Sequence, residues 1–516
     1  MQLGFVIDQS RCIGCHACTV ACKSENDVPV GSFRTWVKYT EKGEFPSVKR
    51  SFSVMRCNQC TDAPCVSICP TGALEKRLAD GIVDLDKEAC IGCKSCMHGC
   101  PYDALYINDE SGTAEKCHFC AHRTEVGLAP ACAVVCPTEA IVPGDFDDPT
   151  SVVSKIVAGG ATTVRKPEAA TKPNVHYVAA AAENLDPTAT TNDRGYLWSN
   201  RRPGMDMAAS EFAAMEQRAA ATASVPRTTY DAEHTALWGW KISGYLLTKS
   251  IAAGALLALL LPALFGLLPM PSATGLAVAA AIGLLFLTAT SALLVLDLKR
   301  PDRFLYILLR PNFSSWLVKG TYLLMGYGAL ASLCLVLGLF DLVPTGALLS
   351  VLAGATCLLA ALAACYTGWL FGQSKGRVLW MRRGLWAHLV VQAGLAGTAV
   401  LILVEPLVLP SGELETLRTL LVGWLALHLA FMLAERFLAP KGREHEYHRV
   451  QALIERGPFA FRHWAVGVGL GIAAPVLLCL IPGVPLLAVG AALLALVGVA
   501  SEEDLFVRAG QALPIS

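Results

Sequence analysis

Apolar residues are unevenly distributed along this chain. From about residue 241 onward they gather into eight runs, roughly 242–267, 274–296, 315–340, 346–371, 385–409, 414–438, 461–482 and 484–501. Each is near or above the ~18–20 residues that cross a bilayer as helix, so the pattern predicts eight membrane-spanning helices. The seventh and eighth are separated only by IPGVP, which predicts a tight hairpin. Residues 1 to about 145 contain no run of that length. Between the two parts, residues 146–240 keep no sustained period. There, ATKPNVHYVAAAAENLDP from Ala170 predicts one short strand, and SEFAAMEQRAAATA from Ser210 a helix. That segment is expected to be a tether between two formerly separate proteins; the alternatives are a segment that packs over the cysteine-rich half or one that docks another subunit.

Charge sets an orientation. Lys299, Arg300, Arg303 and Arg310 lie in one loop, and Lys375, Arg377, Arg382 and Arg383 in another. Arg436, Lys441, Arg443, Arg449, Arg456 and Arg462 fill the loop between spans six and seven, whereas the opposite loops carry little beyond Arg418. Basic residues stay on the cytoplasmic side, so both ends of this half, and the polar half with them, are expected to face the cytoplasm. MQLGFVIDQSRCIGC at the start shows no export signal, which gives the same expectation and predicts reduced thiols. Lys+Arg and Asp+Glu are both 42, so charge points to no nucleic acid.

Composition matters most in the polar half, which holds 16 of the 20 cysteines. They fall into four groups: Cys12, Cys15, Cys18, Cys22; Cys57, Cys60, Cys65, Cys69; Cys90, Cys93, Cys96, Cys100; and Cys117, Cys120, Cys132, Cys136. Cys69, Cys100 and Cys136 precede proline, while Cys22 precedes Lys23. The C-x₂-C-x₂-C-x₃-C-P spacing of the third group is that of a [4Fe–4S] ligand set whose fourth cysteine reaches a neighbouring cluster. Zinc also accepts paired CxxC motifs, but in one site of four rather than four runs of four. By the swapped-ligand rule the quartets are Cys57, Cys60, Cys65 with Cys100, and Cys90, Cys93, Cys96 with Cys69. Groups one and four then exchange in the same way: Cys12, Cys15, Cys18 with Cys136, and Cys117, Cys120, Cys132 with Cys22. His16, His98, His118 and His122 lie beside the cysteines and are expected to support the clusters or lie at the surface. Cys334, Cys357, Cys365 and Cys479 lie in apolar runs and are expected to pack as small hydrophobes.

With a widened gap in the second group and a long one in the fourth, residues 1–145 resemble the four-cluster electron-transfer subunits of the dimethyl sulfoxide reductase superfamily. In the other half, LDLKRPDRFLYILLRPNFSSWLVKGTYLL from Leu296 and VRAGQALPIS at the C-terminus resemble NrfD-type (polysulfide reductase) membrane anchors. The implied architecture is an α+β double-ferredoxin domain (1–145), a linker (146–240) and an all-α eight-helix transmembrane bundle (241–516). The resemblance implies four [4Fe–4S] clusters, a quinone (menaquinone or ubiquinone) as exchangeable redox partner, and a separate molybdopterin-containing catalytic subunit on the cytoplasmic side of the inner membrane. No nucleotide fingerprint is present, so substrate chemistry is expected on that other polypeptide. A component of a respiratory quinol-oxidising or ion-translocating complex, or a hydrogenase anchor, is the alternative.

Polar residues inside spans are functional candidates because leaving them unpaired in lipid is costly. Tyr245, Lys249, Asp297, Lys319, Tyr322 and His388 are candidates for the quinone site, with His463 near the same membrane face. Snorkelling of the lysines and helix–helix hydrogen bonds are the competing explanations. Glu405 and His428 lie deeper and could pair or serve a proton path. His388 and His428, placed at unlike depths, are not expected to hold a haem.

Overall fold

The computed structural model describes residues 1–43, 46–191, 225–232, 237–409 and 412–516. It divides into two units, Met1–Thr235 with Pro514–Ser516, and Ala236–Leu513.

The first unit is built from short strands and the loops between them. In chain order the strands are β1 (Leu3–Asp8), β2 (Thr35–Lys42), β3 (Lys49–Arg56), β4 (Leu74–Lys76), β5 (Val83–Leu85), β6 (Leu105–Asn108), β7 (Thr113–Lys116), β8 (Ile141–Asp145), β9 (Thr162–Thr163), β10 (Val175–Val178) and β11 (Arg227–Tyr230). One sheet has the order β8-β1-β10-β9 and another β11-β2-β3, with β4–β5 and β6–β7 as separate hairpins. Phe5 and Ile7 of β1 pack with Val175 and Tyr177 of β10, and with Val37, Val54 and Phe119, the alternation expected of a strand with one buried face. Five short helices carry or flank the cysteines: α1 (Ala17–Glu25), α2 (Pro64–Ile68), α3 (Ser95–Gly99), α4 (Ala121–Thr124) and α5 (Ala131–Val134).

At the linker the structure departs from a plain tether. Residues 146–191 are woven into the first unit, because β10 lies parallel to β1 with Phe5 opposite Val175. Thr171 and Lys172 accept backbone hydrogen bonds from Asp62 and Thr61, and Asn174 donates to the Asn58 carbonyl. This stretch therefore closes over the Cys57–Cys60 loop. The strand expected in 170–187 is β10, whereas the helix expected from Ser210 lies outside the described residues.

Among the described residues, the second unit contains eight helices long and apolar enough to cross a membrane: Trp240–Leu264, Ala273–Asp297, Trp316–Leu339, Ala347–Gly372, Leu385–Leu403, Leu414–Phe437, Arg462–Cys479 and Pro485–Gly510. An even number of crossings puts both ends of the bundle on one membrane face. The first and fifth spans are the central pair, each 83% buried over its apolar stretch. They cross where Gly254 meets Gly397, and a Cβ on either would collide with the other's backbone; small residues allow such close crossings. Gly471 and Gly498 do the same for the seventh and eighth spans. The seventh span begins as a π-helix, Arg462–Ala473. The eighth runs nine residues past the apolar run, to Gly510. Its added turns carry Glu502, Glu503 and Asp504, charges that the helix keeps because neighbouring spans receive them.

Candidate functional site

The first CxxC loop of each cysteine group turns the same way. The residue before its second cysteine (Gly14, Gln59, Gly92 or Phe119) has a positive φ, 71°, 47°, 67° and 59° respectively. Such turns aim successive backbone N–H groups into a concavity suited to an anionic group, iron–sulfur clusters included. Helix α1 then presents Cys18 and Cys22, four residues apart, from one face.

Folding gathers the cysteines into four quartets. Cys12, Cys15, Cys18 and Cys136 line one cavity with Val37, Val54 and Ile141. Cys69, Cys90, Cys93 and Cys96 line a second, and Cys22, Cys117, Cys120 and Cys132 a third. In the fourth, burial and then the thiols of Cys57 and Cys100 push Cys60 up to about 12. Burial likewise pushes Cys100 up to about 11, with Cys57 adding to it, and raises Cys65, with Cys100, Cys57 and Cys60 adding to that. Thiols buried together in this way ionise only when a cation compensates them, as ligands to iron do.

Spacing separates iron–sulfur from zinc. A tetrahedral Zn–S₄ site with ~2.3 Å bonds holds its sulfurs ~3.8 Å apart. Among the described residues the group of three donor atoms within 4.8 Å of one another is His388, His428 and Glu502, not a cysteine trio. Among the described residues, the cysteine sulfurs are therefore spread more widely than the donor set of a single zinc ion.

Polar groups surround these cavities. Thr71 Oγ1 lies 3.9 Å from Cys69 Sγ, and Thr138 Oγ1 3.8 Å from Cys136 Sγ. The backbone N–H of Ala140 donates to Cys136 Sγ at 3.2 Å. Asn26 Nδ2 reaches Cys22 and Cys120 at 3.8 and 3.9 Å. Arg56, fully buried, lines the third cavity; its Nη2 donates to Thr35 at 3.1 Å, while Nε and Nη1 find no partner in the protein. Burial works against its charge, and the nearby thiols of Cys132, Cys117 and Cys18 outweigh that and favour it. Of the four histidines beside the cysteines, His16 meets the Tyr39 hydroxyl at 3.0 Å and His122 meets Glu25 at 2.9 Å. His118 lies 3.5 Å from Arg34, and His98 is fully buried.

The candidate membrane residues separate into three places. Tyr245 and Lys249 are buried together: the Tyr245 hydroxyl meets that of Tyr366, and Lys249 Nζ donates to the Ala364 carbonyl and, at 2.9 Å, to Thr367 Oγ1. Glu503 accepts from Ser250 at 3.1 Å, on the turn of the first span that carries Lys249. Lys319 lies elsewhere, over the Trp316 ring, and Tyr322 stacks on Phe313. Asp297 closes the second span, and His463 sits against Trp464.

His388 belongs to the third place. Read along the sequence, His388 and His428 lie at unlike depths; in the structure their antiparallel spans bring them level, with His388 Nε2 2.9 Å from His428 Nδ1. Arg382 donates to His388 Nδ1 at 2.7 Å, and His428 Nε2 lies 2.6 Å from Glu502. Glu405 does not join them; it begins a short helix beyond the far end of the fifth span. Glu502, Glu503 and Tyr366 are not among the residues picked out from the sequence, and Arg382 enters there only as a basic loop residue. The available signal is the acidic trio Glu502, Glu503 and Asp504, directly after an apolar run that ends at 501.

Comparison with known proteins agrees with this division. Residues 11–73 and 48–146 each match a family of 4Fe-4S dicluster domains, and residues 229–514 match the family of polysulphide reductase, NrfD. Two dicluster domains correspond to four [4Fe–4S] clusters. The sequence is 42% identical to protein NrfC of Escherichia coli, over 34% of this chain and 81% of that one. It is 37% identical to the arsenate respiratory reductase iron-sulfur subunit ArrB of a Shewanella species, over 34% and 96%. With the NrfC homolog of Haemophilus influenzae it shares 42%, over 34% and 80%.

Proposed function

This protein is a member of the polysulphide reductase NrfD family, with a four-cluster iron–sulfur electron-transfer module in the same polypeptide, and from that premise we propose that it carries electrons between a membrane quinone and a molybdopterin-containing catalytic subunit. The observation that carries this reading is the gathering of sixteen cysteines into four quartets in a polypeptide that also spans the membrane eight times.

We assign the ligands as the four quartets described above. When bound, each cluster supplies one-electron redox chemistry. The protein's own groups hold and insulate it: the apolar walls exclude water, and the Thr138 and Ala140 donors stabilise charge on the ligating sulfurs, while the Thr71 hydroxyl donates to the Ala89 carbonyl. The first quartet is the outlet. Cys15 is exposed and Cys12 and Cys136 are half-buried, and Ile13, Val20 and Val134, all more than half exposed, form an apolar rim beside it. That rim suits contact with another protein more than contact with water. Relatives named as reductase subunits support a catalytic partner. The basic loops favour the cytoplasmic face for both ends of the bundle.

For the quinone, Tyr245, Lys249, Tyr366 and Glu503 are the strongest of the candidates. They combine hydroxyl and ammonium donors with a carboxylate inside the bundle, and a quinone carbonyl needs a donor and a proton source. Asp297, Lys319 and Tyr322 fit less well, since Lys319 and Tyr322 rest on aromatic rings.

Purification of the tagged full-length protein in mild detergent, with metal analysis, tests the reading. Iron near sixteen per polypeptide together with molybdenum or tungsten and one large soluble partner is the expected result. Iron at that level with c-type haem partners would move the assignment to a respiratory complex. Ile13→Asp is expected to lose the partner while keeping its iron.

A further inference from the structure

We infer that Glu435, His388, His428 and Glu502 form a proton relay through the cytoplasmic-end layer of the bundle, held in one orientation by Arg382. The inference rests on the quinone reading above. Reducing one quinone takes two electrons and two protons, because two C=O groups become C–OH. The clusters supply only electrons, so a buried quinone site needs a separate route for protons.

The hydrogen bonds fix which nitrogen carries each proton. A guanidinium only donates, so His388 Nδ1, 2.7 Å from Arg382, is the acceptor. His388 Nε2–H then donates to His428 Nδ1 at 2.9 Å, and His428 Nε2–H donates to Glu502 at 2.6 Å. Glu435 pairs with Arg382 and lies 3.5 Å from His388 Nδ1. It closes the loop end of the relay. Both rings are nearly fully buried, at 1% and 3% exposure.

One transfer conserves protons. When Arg382 releases Nδ1, a protonated Glu435 delivers its proton there, His388 Nε2–H passes to His428 Nδ1, and His428 Nε2–H passes to Glu502. One proton enters and one leaves, and both rings stand as Nδ1–H tautomers until they turn back. The next residue, Glu503, faces Ser250 beside Lys249, so the relay ends on the helix that lines the candidate quinone cluster. A divalent cation suits the same three donors less well. Bound at His388 Nε2, it would leave an Nδ1–H facing Arg382, donor against donor.

The test uses the full-length protein, iron-loaded and oxidised, in liposomes. A soluble quinol analogue should bleach the clusters, and His428→Ala should slow this at least tenfold, with added imidazole restoring the rate. Dithionite should reduce both proteins fully. Glu502→Gln serves in the same comparison if His428→Ala does not accumulate. A variant as fast as the parent with its iron intact would overturn the relay. Wild-type clusters that no quinol reduces would overturn the quinone reading instead. Ring-¹⁵N histidine NMR of the oxidised protein then still decides the relay: Nε2–H with bare Nδ1 on both rings is expected, and Nδ1–H or doubly protonated rings would overturn it.

Discussion

At the residue scale, Arg56 sets the sharpest expectation. Its guanidinium is buried against the Phe5 ring, 4.1 Å from the centroid, with two nitrogens aimed at no protein acceptor. A cluster in the adjoining cavity becomes more negative on reduction, and a fixed positive charge favours that state. Arg56→Gln should therefore lower the midpoint potential of one cluster, and Arg56→Lys should restore part of it; EPR-monitored redox titration reads both. A fall of about 60 mV is a tenfold change in a one-electron equilibrium. Thr138→Val should act in the same direction and less strongly. Lys38 is the reverse case, a buried amine whose environment disfavours its charge. Burial lowers its pKa from 10.5 to about 8. The unfolded chain thus holds the proton more tightly between pH 8 and 10.5, and stability rises with pH through that window. Lys38→Met should flatten the rise and raise stability at pH 7 by at most about 3 kcal/mol, measured as melting temperature across pH. Arg56 and Lys38 were not legible in the sequence, because each lies on a strand whose burial depends on distant segments.

At the scale of elements, the crossing of the first and fifth spans is the sensitive joint. Lys249 lies five residues from Gly254, and His388 nine from Gly397, so one contact sets the spacing of both polar clusters. Gly397→Leu would drive a side chain into the Gly254 carbonyl, and overpacking of this kind costs ~1–3 kcal/mol or more. A lower melting temperature in detergent, with loss of quinol-driven bleaching, is the expected outcome. The spans themselves were legible because lipid demands long apolar helices with every backbone group satisfied internally. Their ends were less so: the eighth continues to Gly510 because its charges meet partners on other helices, which no hydropathy pattern records. Residues 146–191 read as a tether for a related reason, since β10 is four residues long and its partner β1 lies about 170 residues earlier.

At the scale of the whole molecule, the two units should respond differently to loss of metal. The first has many short strands and helices of four to nine residues, too little regular structure to hold without its clusters. Chelation under reducing conditions should make residues 1–191 protease-sensitive while the helical circular dichroism of the eight spans persists. A first unit that stays resistant without iron would contradict this. The cysteine spacing made the ligand groups legible from sequence, since cluster ligation is written in local intervals; the partners of the histidines were not, since they lie on three different spans. The eighth span also bears on how the molecule is made. Ser501, Glu502, Glu503 and Asp504 lie about 100° apart in succession around the helix, and they engage Arg462, His428, Ser250 and Ser243 respectively. A segment so charged enters a bilayer poorly by itself. During synthesis it emerges after all four of its partners, so those spans can shelter it as it leaves the ribosome, and a rearranged gene that delivered it earlier would be expected to fail at insertion.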